Sequence, residues 1–401
     1  MKKILTLVFS ALLVGACSVN YPPGSTKQYP HGAPGYLIEE DGKFGFISPN
    51  GHLLIPPDFD WIEIFNTHGA PGTLVQKNGK FGFYSSSGSV IIPAEYESID
   101  RFNTHGAPGA LVKKDGKVGF YSSQGSVIIP AAFDHIDRFN THGAPGALVK
   151  TGTRFGFYSS EGSIIIPAEF DLIERFNTHG APGTLVRKDG KFGFYSSQGS
   201  IILPPVFDRI ERFNTHGAPG ALVAKDRKYG FYSSHGSEII PAKYEKIERF
   251  NTHGTPGALV KEDGKYGFYS SQGTIIIPAE FDHIERFNTY GAPGTLVRKG
   301  AKYGFFSSQG DVLIPPVYDS IDKFNTHGAP GALVKKDGKY GFLSSQGDIL
   351  IPVEFDRIER FNTGGLAGAV VQKGDRYGVY SSTGHVIVPV QYENPDDIGT
   401  D

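Results

Sequence analysis

The chain has 401 residues and a formal net charge of −2, with 53 Gly, 27 Pro and a single Cys. Acids and bases are interspersed, so no basic field exists to hold nucleic acid by its phosphates, and one cysteine excludes an intramolecular disulfide or a cysteine-rich metal site. Gly and Pro together stay below the level at which disorder is the default, and 30 Phe with 20 Tyr are enough to fill a core.

The first segment is a separate device. Lys2 and Lys3 give a charged start, Ile4 to Val14 is an apolar stretch too short to span a bilayer as a stable helix, and Val14-Gly15-Ala16 puts small residues before Cys17. This resembles a bacterial lipoprotein signal: residues 1–16 would be the signal peptide and Cys17 the lipidated residue, with residues 17–30, rich in Pro, Gly and Ser, as a tether. The alternative is an ordinary signal peptide with an incidental cysteine. By resemblance to the sorting rule of Gram-negative lipoproteins, Ser18 after the cysteine points to the outer membrane; in a Gram-positive source the anchor would be the plasma membrane. Membrane attachment would then be through lipid alone, with no transmembrane helix in the mature chain.

From His31 to Thr400 a 37-residue unit recurs ten times without insertion or deletion, its register marked by Gly45, Gly82, Gly119, Gly156, Gly193, Gly230, Gly267, Gly304, Gly341 and Gly378. Such self-similarity means an array in which each unit buries its apolar face against its neighbours. Within a unit, a connector of the form His-Gly-Ala-Pro-Gly leads to a first strand such as Ala332 to Lys336. Pro and Gly stand in the order of a type II turn. A hairpin turn follows: Asp-Gly or Asn-Gly in six units (from Asp41-Gly42 to Asp337-Gly338) predicts type I′, and Gly152-Thr153, Gly300-Ala301 and Gly374-Asp375 suit type II′. Only Asp226-Arg227 lacks glycine, which predicts a strained or altered turn.

A second strand such as Lys339 to Ser345 carries the aromatic-Gly step, and a second Gly turn leads to a third strand such as Asp348 to Pro352. Its unbroken apolar run, as in Ile164-Ile165-Ile166, predicts cover on both faces, and the proline that follows in every unit is expected to end it. An aromatic then leads into Ile-Glu-Arg-Phe, read as a short fourth strand; no segment has a helical period.

These motifs resemble the bacterial WG-repeat family, whose units carry a Trp-Gly step, a Gly turn, an Ile-Pro strand end and a Tyr-Asp pair. The last unit matches best, with Arg376-Tyr377-Gly378-Val379-Tyr380, Thr383-Gly384, Val386-Ile387-Val388-Pro389 and Gln391-Tyr392, and the resemblance runs from His31 to about Tyr392. The family's Trp column here holds Phe, Tyr or Val118, and the one Trp61 lies elsewhere, so an aromatic ring beside a residue without a side chain is the retained feature. The resemblance implies an all-β repeat fold and little about activity. An open superhelical, solenoid-like array is expected over a β-propeller, because ten blades exceed the usual 4–8 and Pro395-Asp396-Asp397-Ile398 replaces the tenth copy of the fourth strand. Asn394 to Asp401 then reads as a terminal cap or frayed tail.

Three columns could carry chemistry. His31, His68, His105, His142, His179, His216, His253 and His327 occupy the connector, with Tyr290 and Gly364 in the other two units. One imidazole per unit, separated from the next by at least about 4.7 Å, cannot readily converge on one ion, so no metal site is expected. A turn histidine bonded to a neighbouring connector is the simpler account. Acids such as Asp100, Asp137, Glu174 and Glu211 precede bases at Arg101, Arg138, Arg175 and Arg212, and likewise in later repeats, whereas Glu63 is followed by Ile64; alternation along a strand would place acids and bases in separate stripes. Ladder chemistry on a solvated face is the bland account, and a multivalent docking surface of His and Arg columns the sharper one. A catalytic site needs a unique constellation, yet nearly every polar residue here is one of ten near-copies, so an enzyme is not expected and no cofactor is implied. The sequence therefore reads as a lipid-anchored cell-envelope scaffold for a protein or glycan ligand; the alternative is an envelope hydrolase with its site in a divergent unit, near Trp61 or in unit 10.

The anchor is directly testable. Cys17→Ser should give an unprocessed or soluble product, while wild-type protein partitions into detergent with a mass increment on Cys17; an unmodified Cys17 on the mature wild-type chain would refute the lipidation.

Overall fold

The computed structural model describes residues 30–363 and 367–398. Cys17, its signal and most of the tether lie outside the described residues, as do Gly364 and the last three residues. Among the described residues the chain is all-β apart from one 3-10 turn, Pro395–Asp397, and its strands form ten small antiparallel sheets in tandem. No helix among them is long and apolar enough to cross a membrane. The chain divides into two compact units, residues up to Phe139 and residues from Asn140 onward.

The first unit shows the plan. Strands β1 (Tyr36–Glu40), β2 (Lys43–Ile47) and β3 (Leu53–Phe59) form a meander, followed by β4 (Trp61–Ile62), β5 (Gly72–Lys77), β6 (Lys80–Ser85) and β7 (Val90–Tyr96). The sheets are out of phase with the sequence repeat: β4, which ends one repeat, pairs with β5, which begins the next, through Trp61↔Gln76 and Ile62↔Val75. The third sheet of this unit, Ser98–Ile99 to Val127–Phe133, repeats the scheme. In the second unit six complete sheets do the same, from Leu172–Ile173 with Thr184–Lys188 onward.

The hairpin turns follow their residues. Asp41 and Gly42 have φ of 49° and 73°, as a type I′ turn requires, and Gly152, Gly300 and Gly374 take the positive φ that opens a type II′ turn. Asp226-Arg227 keeps the type I′ geometry without a glycine, so Arg227 sits at φ 62° and bears the steric cost of the left-handed region, about 1 kcal/mol or more. The connector departs from type II: its second glycine, as at Gly72 with φ 151°, lies far from the roughly +80° of that turn. A Cβ there would meet Phe83 Cε1 at 2.6 Å, so this is the glycine that faces a packed ring.

Three expectations for the later strands are corrected. The third strand is not covered on both faces: along Ile164–Phe170 exposure falls from Ile164 at 60% through a half-buried Ile165 to Ile166 at 0%, and Pro167 and Glu169 are exposed again. Proline does not end it; the strand runs through Pro93 to Tyr96, across a register shift between the pairs Phe83↔Ile92 and Phe81↔Tyr96. This is an edge strand with a bulge, the one sheet context where a missing N–H is tolerated. The fourth strand is only two residues long, because the chain leaves the ladder at the Ile and the Glu-Arg that follow lie outside it. Glycine in the aromatic-Gly step also has another reason than a ring. A Cβ on Gly193 would lie 2.8 Å from Leu203 O and from Pro205 N, so the residue admits the backbone of the bulged third strand.

The core lies at these junctions. Ile62 and Phe65 pack with Phe46, Ile55 and Phe59 of the preceding sheet and Val75 of the following one. Phe46 and Phe65 stand 4.6 Å apart, and Phe59 meets Tyr84 edge-on at 5.4 Å. Each buried Ile contributes about 1.5–3 kcal/mol by transfer, and each ring pair about 0.5–1.5 kcal/mol more. At the C-terminal end Asn394 caps the 3-10 turn through a bond from Asp396 N, and Ile398 is buried, so residues 394–398 form an ordered turn.

Gly193→Val should be strongly destabilising, by roughly 1–3 kcal/mol or more for overpacking against backbone that cannot move aside. Segment-resolved hydrogen exchange should show protection lost around residues 184–207 and the adjoining sheets, and retained far from them; uniform loss along the chain would contradict nearest-neighbour coupling.

Candidate functional site

The connector histidines close each repeat onto itself. In the first repeat His31 Nε2 lies 3.4 Å from Ile62 O, and His31 O accepts from Phe65 N at 3.0 Å. His68, His105, His142, His179, His216, His253 and His327 make the same ring contact to Ile99, Ile136, Ile173, Ile210, Ile247, Ile284 and Ile358, at 3.1–3.4 Å. For that contact to be a hydrogen bond the carbonyl must accept, so Nε2 carries the proton. The expected partner was a neighbouring connector; the actual one is the end of the fourth strand, 31 residues on. Tyr290 shows what the column requires, since its hydroxyl donates to Ile321 O at 2.9 Å. The imidazoles are half-buried, with the His68 ring tilted 41° to that of Phe83 at 6.2 Å between centroids and its Nδ1 3.4 Å from Glu63 Oε2. Asn103 adds a parallel tie, its side-chain amide donating to Gly69 O at 2.8 Å from a left-handed backbone at φ 64°.

A second staple, unremarked in the sequence, joins one repeat to the next. Asp60 takes the ammonium of Lys43 from its own repeat and accepts the backbone N–H of Asn78 at 2.5 Å from the following hairpin turn. Asp208 does the same for Lys191 and Asp226 N, which holds the strained Asp226-Arg227 turn in place. The lysine hydrogen bond first, and the turn N–H second, keep these carboxyls below the ordinary value of 3.8. The signal was present as an acid after each third-strand aromatic, with a Lys or Arg 17 residues earlier.

The acidic and basic columns separate, though not by strand alternation. Acids of the former pair locally: Glu174 with His179 at 3.8 Å, Glu211 with Arg209 at 3.3 Å, Glu248 with Lys246 at 2.9 Å, Glu359 with Arg357 at 3.3 Å. The bases stay exposed. Within the second unit Arg175, Arg212, Arg249, Arg286, Lys323 and Arg360 recur one per repeat, and among the described residues none of these side chains has an ion-pair partner. Their backbone is fixed nonetheless, because Thr178, Thr215, Thr252, Thr289, Thr326 and Thr363 hydroxyls donate to their carbonyls at 2.6–2.8 Å. In the first unit Arg101 and Arg138 are exposed at the same position. Trp61 lies in β4, 41% exposed.

The family described as WG containing repeat matches at residues 44–81, 81–117, 119–150, 155–192, 192–228, 229–266, 266–302, 303–340 and 340–377. No curated protein matches. Among solved structures the chain is similar to one described as the eukaryotic initiation factor, at 13% identity, covering 88% of this chain and 95% of that one, with a TM-score of 0.21. It is similar to Hsv2 of Kluyveromyces lactis at 10% identity, 62% and 94% coverage and a TM-score of 0.18. PorZ, a surface component of the type-IX secretion system of Porphyromonas gingivalis, matches at 10% identity, 90% and 51% coverage and a TM-score of 0.19. At these TM-scores the likenesses carry no inference.

Tyr290→Phe should leave Ile321 O unpaired at a cost of about 1–3 kcal/mol, while Tyr290→His should be nearly neutral. Chemical denaturation followed by local hydrogen exchange near residues 290 and 321 reads both; equal losses for the two variants would remove the hydrogen bond as the column's requirement.

Proposed function

Because the chain belongs to the WG-repeat family, with nine matches between residues 44 and 377, we propose that it serves as a binding scaffold of the bacterial cell envelope, anchored at the outer membrane by lipid on Cys17, which docks an anionic protein or glycan by many equivalent weak contacts. The observation that carries the reading is the Arg column of the second unit: a positioned backbone, an exposed guanidinium and no ion-pair partner among the described residues, recurring at a fixed period. Arginine presents a planar fork of donors suited to carboxylate, sulfate or phosphate groups, and its charge is permanent. The His column, whose ring and carbonyl already bond within each repeat, is assigned a structural part in this reading. Each exposed cation alone contributes little in water, so useful affinity requires several to engage one extended ligand. A repeated, non-unique surface suits holding a partner better than transforming one.

A pull-down from envelope fractions names the ligand; full-length variants then test the mode. Arg212→Ala alone should change the dissociation constant by less than about threefold, whereas Arg175, Arg212, Arg249 and Arg286 changed together to Ala should weaken it by more than the single effects combined, with a steep salt dependence in the wild type. Abolition by one substitution would replace the multivalent surface with a localised site.

A further inference from the structure

Two complete sheets of the first unit and six of the second carry four strands, but the first sheet, among the described residues, has only β1, β2 and β3. The edge of β1 is what every other first strand hides. Thr73, Leu74 and Val75 of β5 are 0%, 8% and 0% exposed, and Thr184, Leu185 and Val186 of the second unit 0%, 5% and 0%. Their counterparts Tyr36 and Leu37 are 58% and 39% exposed. The molecule itself shows what covers such an edge. In the sheet led by Arg209–Ile210 the segment Phe207–Asn214 pairs Arg209↔Ala224 and Ile210↔Val223. It also donates from Asp208 N to Ala224 O at 2.8 Å, from Glu211 N to Leu222 O at 2.9 Å and from Asn214 N to Gly220 O at 2.7 Å. One period structure maps these acceptors onto Glu39 O, Leu37 O and Gly35 O.

The chain's own residues one period before β4 do not reproduce that segment. They read Pro22-Pro-Gly-Ser-Thr-Lys-Gln28, placing Pro23 at the Asp position, Ser25 at the Ile and Gln28 at the Phe. Pro23 has no N–H to give Glu39 O, and neither Ser25 nor Gln28 supplies the apolar volume. The edge also differs in charge: the position facing the fourth strand's first residue is Gln76, Lys113 or Arg187 in other sheets and Glu39 here, with Glu40 beside it.

We propose that β1 is a strand-addition site for an extended segment of a partner protein with a cationic residue opposite Glu39, an Ile or Val next, facing Ile38, and an aromatic three residues further on. Backbone bonds to the carbonyls of Glu39, Leu37 and Gly35 give affinity, the Ile pocket and Glu39 give selection, and the added strand takes the place the fourth strand holds in the other sheets. The surface is distinct from the Arg column.

The probe is a labelled synthetic peptide with the sequence of Phe207–Asn214, titrated against the full chain by fluorescence anisotropy. It should bind once per chain, and a peptide carrying Asp in place of Ile210 should bind at least about tenfold more weakly. Glu39→Lys in the protein should weaken the wild-type peptide and restore affinity to a peptide with Glu in place of Arg209. That charge swap distinguishes recognition from damage to β1, and the quadruple Arg→Ala variant should bind the peptide as the wild type does. Equal binding of the Ile and Asp peptides, or no binding of either, overturns the proposal. So does a dimer that Leu37→Lys dissociates while the peptide fails to bind, since the edge would then be occupied by a second copy.

Discussion

The structure depends on one offset: the strand that ends each repeat pairs with the first strand of the next sheet. A repeat of 37 residues holds too little apolar surface to fold as a closed domain, and a hairpin or three-stranded meander of this size is marginal in water. By lending two residues of ladder to its successor, each repeat joins its neighbour through backbone as well as side chains. The Ile at that crossing is buried in a single cluster to which both sheets contribute, so neither sheet closes its core alone. Stability is then shared between adjacent repeats, and a defect is felt on both sides of it.

Most of the conserved-looking chemistry within the repeat follows from making that crossing possible. The segment from Ile to Asn leaves the ladder at once, and its backbone groups need partners. They are supplied from both sides: by the next sheet, through bonds such as Glu63 N to Leu74 O, and by its own connector, through Phe65 N to His31 O and the ring of His31. Histidine, asparagine and the left-handed Asn turn are thus parts of a clamp on a short non-ladder segment. The Asp that precedes the crossing adds the lateral tie to the following turn. Residues that looked like a functional array in the sequence are, for the most part, the hydrogen-bonding complement of one backbone excursion.

That is also why the sequence yielded some features and concealed others. Period, strand content, hairpin turn types and the strained Asp226-Arg227 turn were legible, because they depend on local backbone preferences of Gly, Asn, Asp and Pro that need no tertiary context. The run Ile164-Ile165-Ile166 misled because a bulge at the following proline and a neighbouring turn, not a second covering layer, decide which of the three is buried; a Cβ on Gly199 of the next repeat's turn would meet Ile165 O at 2.6 Å. The glycine after the aromatic was legible as a demand for space, but not what filled it, since backbone and ring leave the same trace in sequence. Pairing across repeats was hidden for a simpler reason. Translation by one period maps every contact onto another, so periodicity alone cannot say whether a strand pairs within its repeat or with the next.

The same translation argument separates structure from function. A column whose members all meet the same internal partner, as the imidazoles do, is accounted for by the fold, and Tyr290 shows that only the donor matters. A column whose backbone is fixed but whose charge meets no ion-pair partner among the described residues, as with Arg175 to Arg360, has no such account, because an unpaired exposed cation adds almost nothing to stability. Periodicity ends at the first sheet as well, where Tyr36 and Leu37 present to solvent what every later repeat covers. Exposed strand edges in natural proteins are normally blunted, and β1 carries Glu39 and Glu40 for the purpose, Glu39 standing where the other sheets carry neutral or basic residues. Two acids deter an identical edge and invite a basic one, so the charge that protects this strand against random pairing also specifies what it accepts.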